Sequence, residues 1–289
     1  MTVAFRLDGV FSVLPTAFRD DGALDLAGVE ALVRAARDEG VAGFTALGVM
    51  GEAAELTDTE RAEVLGCIAD SAGSLPIVVG VTGERAADVT HRARAASGAG
   101  VAALMVSPTR SLGLDDAVRA AEAGDLPIVI QDYPPASGVT VTVDQLATVA
   151  TAHPLVVGVK AEAAPTSVTI AGLRRSNPGL SLVGGLGGLF LIDELHAGAD
   201  GVMTGFALPE RLVSIVRTYQ ADPEGATRAW EQLLPLMRLE AFPPYSLAAR
   251  KEVWRLRGVI GSAYCRRAGA ILDAEARDDV RRALERIAG

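Results

Sequence analysis

The chain has 289 residues, 22% of them charged and 49% hydrophobic, an ordinary globular balance at a length that a single α/β barrel can fill. A formal net charge of −9 with no basic stripe argues against a nucleic-acid backbone or an anionic membrane surface as partner. Cys67 and Cys265 suggest no disulfide framework, and three scattered histidines make no metal site. The chain shows no charged-then-apolar leader and no run of about 18 apolar residues, so a soluble cytoplasmic protein is expected.

Short apolar runs alternate with longer Ala/Arg/Glu/Leu segments. In chain order the strand candidates are Val10–Leu14, Gly43–Leu47, Ile77–Val81, Ala102–Val106, Ile128–Asp132, Val156–Lys160, Leu182–Gly185 and Gly201–Thr204. Between them the pattern predicts helices near 25–39, 58–71, 84–97, 114–123, 143–151, 166–176 and 188–197. Asp25, Thr57, Asp58 and Asp144 stand near helix starts, where short oxygen side chains accept orphan backbone N–H groups. Gly40, Gly98, Gly100, Gly124 and Gly198 punctuate helix ends. Strands that are apolar throughout are expected where both faces are covered, and eight such units in succession indicate a (β/α)₈ TIM barrel. An open doubly wound sheet is the alternative, but no glycine-rich dinucleotide fingerprint follows the first strand. After residue 207 the pattern is helical only, near 208–219, 224–239, 245–258 and 273–287, with Pro243-Pro244 separating the middle two. The expected organisation is a barrel core over 1–207, then 208–289 as the last barrel helix and a C-terminal helical extension.

Only two of the 27 basic residues are lysines, Lys160 and Lys251. Lys160 ends the apolar run Leu155–Val159, and of the two basic side chain types only a lysine amine can attack a carbonyl. A buried structural cation paired with a carboxylate is the competing assignment. Catalytic residues of a barrel sit at the C-terminal ends of its strands. There, Gly48-Val49-Met50-Gly51-Glu52 after strand two can turn its N–H groups toward a carboxylate, or can be a plain strand-to-helix turn. Gln131 and Tyr133, two apart at the end of strand five, share a side and can hydrogen-bond a substrate; a structural tyrosine before Pro134 is equally consistent. Glu162, two past Lys160, is placed for acid/base work beside the amine, or for a quieter role in the loop. Gly185, in the Gly184–Gly188 loop, and Met203, at the end of strand eight, are expected to complete the pocket.

Together these segments resemble the dihydrodipicolinate synthase/N-acetylneuraminate lyase family of Schiff-base lyases. The resemblance runs through Gly9-Val10-Phe11 and Pro15-Thr16-Ala17-Phe18, the Gly48-x-x-Gly51-Glu52 loop, Thr57-x-x-Glu60-Arg61, the Lys160 strand and Gly198–Val202. It implies a barrel with a helical extension, assembled as a homo-oligomer (dimer or tetramer), with Lys160 forming an imine with a 2-oxo acid and needing no cofactor or metal. The departures matter as much. Val49 and Met50 stand where a hydroxyl residue and threonine are usual, Gln131 where the strand-five tyrosine belongs, and Ala136 where the synthase carries an arginine. Thr109-Arg110 replaces an aromatic pair. Gln131-Asp132…Ser137-Gly138, Lys160-x-Glu162 and Gly198…Met203-Thr204-Gly205 are closer to the branch of 2-keto-3-deoxy sugar acid dehydratases. The resemblance therefore implies dehydration of such an acid first and pyruvate-dependent aldol cleavage second. A synthase-like protein without true synthase activity and a non-catalytic 2-oxo acid sensor are the remaining readings.

Overall fold

In the computed structural model, which describes residues 5–241 and 245–288, eight parallel strands close in chain order into one barrel. They are β1 (Gly9–Val13), β2 (Gly43–Ala46), β3 (Ile77–Gly80), β4 (Ala103–Val106), β5 (Ile128–Asp132), β6 (Val156–Ala161), β7 (Ser181–Gly184) and β8 (Gly201–Thr204), with β1 paired to both β2 and β8. Each expected strand is present to within one residue at either end. The helices between them are α1 (Leu26–Asp38), α2 (Asp58–Ser71), α3 (Ala86–Ser97), α4 (Leu114–Ala121), the single turn α5 (Pro134–Ser137), α6 (Val143–Ala152), α7 (Thr166–Ser176) and α8 (Leu191–His196). After the barrel come α9 (Pro209–Tyr219), α10 (Pro223–Glu231), α11 (Leu234–Ala241), α12 (Ser246–Leu256) and α13 (Ala274–Ala288).

Local chemistry sets several boundaries. Asp25 caps α1 by accepting from the Gly28 N–H at 3.1 Å, and Thr57 and Glu60 form a reciprocal capping box on α2. On α6 the cap is Thr142, boxed with Gln145, while Asp144 lies inside the first turn. The one helix expected over 224–239 is two, α10 and α11, broken at Gln232-Leu233. Pro235 is the cause: it has no N–H to donate backward, and its ring collides with the carbonyl four residues earlier. The expected Pro243-Pro244 separator lies outside the described residues.

Every residue of β2, β3, β4, β7 and β8 is buried, because the ring of helices covers the outside and side chains fill the inside. Alternation along each strand divides the two faces. Phe11, Val13, Val78, Met105, Val129, Val183 and Met203 form an inner cluster, whereas Leu104, Ile128, Ile130 and Val159 belong to the helix-facing core. The same alternation turns Gln131 and Lys160 inward. They are register partners on β5 and β6, and Lys160 is also opposite Val183. Polar chemistry therefore begins where the apolar filling ends, at the C-terminal end of the barrel. α9 packs on β1, and α11, α12 and α13 pack on one another beside the β7–α8 loop.

Candidate active site

A narrow cleft opens at the C-terminal end of the strands, and Lys160 and Glu162 line it with Gly48, Val49, Met50, Gln131 and Tyr133. Strand β6 delivers Lys160 only 4% exposed, and β6 ends one residue before Glu162, with the extended geometry held long enough to keep both on one side. Lys160 Nζ lies 3.0 Å from Glu162 Oε2. That same oxygen accepts from Gln131 Nε2 at 2.7 Å, and Oε1 accepts from the Leu186 N–H at 3.2 Å. Ser107 Oγ donates to Gln131 Oε1 at 3.3 Å, so the amide's orientation is fixed by a hydroxyl behind it. Gln131 thus steers Glu162 in addition to facing the cleft.

On the opposite wall, Val49–Gly51 forms a single tight turn after β2. Its leading N–H groups have no acceptor within the turn and are available to an anion. Glu52 does not face the cleft. It has left-handed backbone (φ 52°), is fully buried, and pairs with Lys251 Nζ at 2.5 Å while accepting from the Arg267 N–H at 2.7 Å. A left-handed non-glycine residue costs of order 1–3 kcal/mol, which these partners offset. Arg267 Nη2 also donates to the Val49 carbonyl at 2.5 Å, so the loop is stitched to the C-terminal segment from behind.

Tyr133 lines the cleft just past β5, before the turn α5. Burial raises the pKa of its phenol, the Glu162 carboxylate raises it further, and Arg250 and Arg267 oppose this, so the hydroxyl keeps its proton. Behind the cleft, burial pushes Glu194 up to about 8 although Thr166 Oγ1 donates to it at 2.8 Å. Burial thus favours its protonated form.

Two expected residues are not part of the lining. Met203 is fully buried within the inner apolar cluster, one layer below the cleft, and its successors Thr204 and Gly205 reach the wall instead. Gly185 is buried against Glu162: a Cβ there would stand 2.2 Å from Oε1, so its part is to admit that carboxylate, and Leu186 and Gly187 form the surface. Arg110 is exposed and packs over Gly138, away from the lining. The far wall is built from residues that no sequence signal above singles out. Ala241 at the end of α11 and Ser246 and Arg250 of α12 belong to the cleft. The available signal was the charged run Arg250-Lys251-Glu252 set between Leu247-Ala248-Ala249 and Val253-Trp254, three consecutive charges that no single solvent face explains.

A (β/α)₈ barrel that brings an amine and a carboxylate together at its C-terminal mouth has the architecture of a lysine-dependent lyase. The chain belongs to the dihydrodipicolinate synthetase family, whose model matches residues 6–287, and family members are lyases that act through a lysine Schiff base. It is 30% identical over 237 residues to the 4-hydroxy-tetrahydrodipicolinate synthase of Stenotrophomonas maltophilia strain K279a, covering 79% of each chain. It is equally 30% identical, over 271 residues, to an L-2-keto-3-deoxyarabonate dehydratase of Azospirillum brasilense, covering 89% of this chain and 87% of the relative. Among solved structures, a dihydrodipicolinate synthase from Rhodopseudomonas palustris superposes with a TM-score of 0.91 at 34% identity over 97% of both chains. Among the described residues no helix is long and apolar enough to cross a membrane.

Proposed function

We propose that Lys160 forms the imine and that the enzyme dehydrates a 2-keto-3-deoxy sugar acid. The observation that carries this reading is the Lys160–Glu162 pair at 3.0 Å, opening into a cleft whose other wall is the Val49/Met50 turn. The substrate's carboxylate rests on the Val49/Met50 turn and its keto carbon meets Nζ. Glu162 takes a proton from the ammonium, leaving the amine lone pair free to attack, and returns it to the carbinolamine hydroxyl, which leaves as water as the protonated imine forms. The protonated imine then withdraws electrons from C3, whose proton Glu162 accepts, because imine formation has removed one of the donors that occupied Oε2. Loss of the C4 hydroxyl as water needs a proton donor, and Tyr133, held neutral by burial, supplies it. The proton held by Glu162 then returns to Tyr133, and hydrolysis of the imine regenerates Lys160.

The strand-five residues support dehydration over the synthase reaction. Gln131 occupies the place of the relay tyrosine and is engaged with Glu162 and Ser107, and Ala136 offers no cation to a second substrate. A keto-deoxy acid dehydratase matches over 271 residues at 30% identity, the same identity as the synthase relative, so the strand-five residues carry the distinction. Retro-aldol cleavage to pyruvate and an aldehyde uses the same imine and is the second reading. Mass spectrometry of products from a panel of 2-oxo and 2-keto-3-deoxy acids, with Lys160→Ala as control, separates the two by which bond has broken. Borohydride reduction with pyruvate tests the shared step: an adduct on Lys160 is expected, and an unmodified lysine at saturating pyruvate would favour a non-catalytic sensor. A homodimer or homotetramer is the expected assembly, measurable by light scattering on the eluting protein.

A further inference from the structure

α12 delivers two cations from successive positions, and they meet different fates. Lys251 turns inward and is fully partnered. Arg250, about 100° around the helix, faces the cleft although it is only 5% exposed. A guanidinium carries five N–H donors and is normally satisfied when buried. Among the described residues its nearest partner is Glu240, an ion pair with Oε2 3.5 Å from Nε, too long and poorly aimed for a good hydrogen bond. That glutamate oxygen is already engaged, accepting from the Ala207 N–H at 3.2 Å.

The surroundings leave the fork uncovered. Gly187 and Gly205 flank it: a Cβ on Gly187 would sit 3.5 Å from Nη2, and one on Gly205 would sit 3.4 Å from Nη1. Both glycines line the cleft, so bare backbone borders the guanidinium where a side chain would have covered it. Burial pushes Glu240 up to about 8 against the opposing charge of Arg250, and the approach of its carboxyl at 3.5 Å is to Nε, one edge of the fork. Arginine itself stays charged. The result is a buried cation whose Nη groups meet no acceptor among the described residues, held by the C-terminal extension over the barrel mouth.

We propose that Arg250 is a specificity-determining residue that receives a terminal carboxylate, so that the substrate is a 2-oxo acid carrying a second acid group at its far end. This rests on the reading of Lys160 as the imine-forming residue and extends it. With C1 on the Val49/Met50 turn and C2 at Lys160, the rest of the chain has to run past Tyr133 toward the Arg250 wall. A carboxylate matches a guanidinium in two parallel hydrogen bonds, which a hydroxymethyl end cannot form.

Borohydride trapping with two unreactive probes of equal length, 2-oxoglutarate and 2-oxopentanoate, tests it, since they differ only in a terminal carboxylate against a methyl. The readout is the ratio of concentrations giving half-maximal labelling of Lys160, taken within one protein so that general damage cancels. The wild type is expected to favour the dicarboxylate roughly tenfold or more. Arg250→Gln is expected to bring the ratio near one, and Arg250→Lys, which keeps the charge but loses the fork, to leave an intermediate value. A wild-type ratio of one overturns the proposal whether or not either variant folds, as does an unchanged ratio in Arg250→Gln. If pyruvate labels Lys160 while the ratio is one, this inference alone fails. If pyruvate does not label the wild type, the imine reading fails with it.

Discussion

The two lysines of this chain each sit within reach of a glutamate, and they could hardly differ more in what the pairing leaves over. Lys251 has no exposed surface; its ammonium meets Glu52 Oε1 at 2.5 Å, the Tyr264 carbonyl at 2.8 Å and the Phe18 ring 4.5 Å away. Every direction is used. Lys160 meets one carboxylate, and the rest of its ammonium faces the cleft. Scarcity of lysine singles out both residues equally, and only access separates them. A satisfied buried ion pair has its desolvation cost met by its partners and gains nothing from a ligand. An amine with one partner and an open side can exchange a proton and then form a bond.

Lys160→Ala should break the comparison most completely. It is expected to lower turnover by roughly 10³-fold or more and to abolish borohydride labelling, with labelled peptides read by mass spectrometry. Labelling that persists, now on Lys251, would reverse the assignment of the two roles. Next comes Glu162→Gln, nearly isosteric, which removes the proton carrier; kcat should fall roughly hundredfold. Slow labelling of Lys160 should survive in that variant, because the nucleophile is intact. A Glu162→Gln enzyme with undiminished kcat would reduce the carboxylate to a structural part.

The sealed pair predicts the opposite signature, loss of stability with the labelled residue unchanged. Lys251→Met leaves Glu52 buried with only the Arg267 N–H, and breaking such a pair costs about 3–5 kcal/mol. Removing both charges, as Lys251→Met with Glu52→Gln, should cost less than the single change, and the difference in unfolding midpoint measures their coupling. If the double variant is no more stable than Lys251→Met, the pair is not the unit described here.

How much of this was legible before any coordinates follows from range. The eight strands were readable because burial on both faces writes an unbroken apolar run into each segment, a signal local to five or six residues. Lys160, Glu162, Gln131 and Tyr133 were readable for the same reason, since strand ends and two-residue alternation place them without reference to the rest of the chain. The break at Pro235 was equally local and was simply overlooked. Met203 was misplaced because alternation gives the inward side but not the depth; it points into the barrel a layer too low. Arg250 was out of reach for a different reason. It joins Lys160 only because α12 folds back over a mouth built some 90 residues earlier, and no periodicity records that docking.

The smallest expected effect concerns a third cation–carboxylate cluster, on the outside of the barrel between α4 and α6. His153 is buried there with Nε2 3.0 Å from Asp115 and Nδ1 2.9 Å from Glu122. Unlike the lysines its charge is conditional. Burial disfavours the imidazolium, but hydrogen bonds to Asp115 and Glu122 outweigh it and the pKa is raised. A group whose folded pKa lies above its unfolded value of about 6.5 binds its proton more tightly in the folded state. Its contribution is therefore complete below about pH 6.5 and lost as pH climbs through the raised folded value. Thermal midpoints measured from pH 6 to 9 should decline modestly for the wild type relative to His153→Gln, whose neutral side chain cannot titrate. Because the cluster is remote from the cleft, labelling of Lys160 should show the same pH dependence in both proteins. A wild-type midpoint that rises over this window relative to the variant would mean that burial, and not the two carboxylates, governs the imidazole.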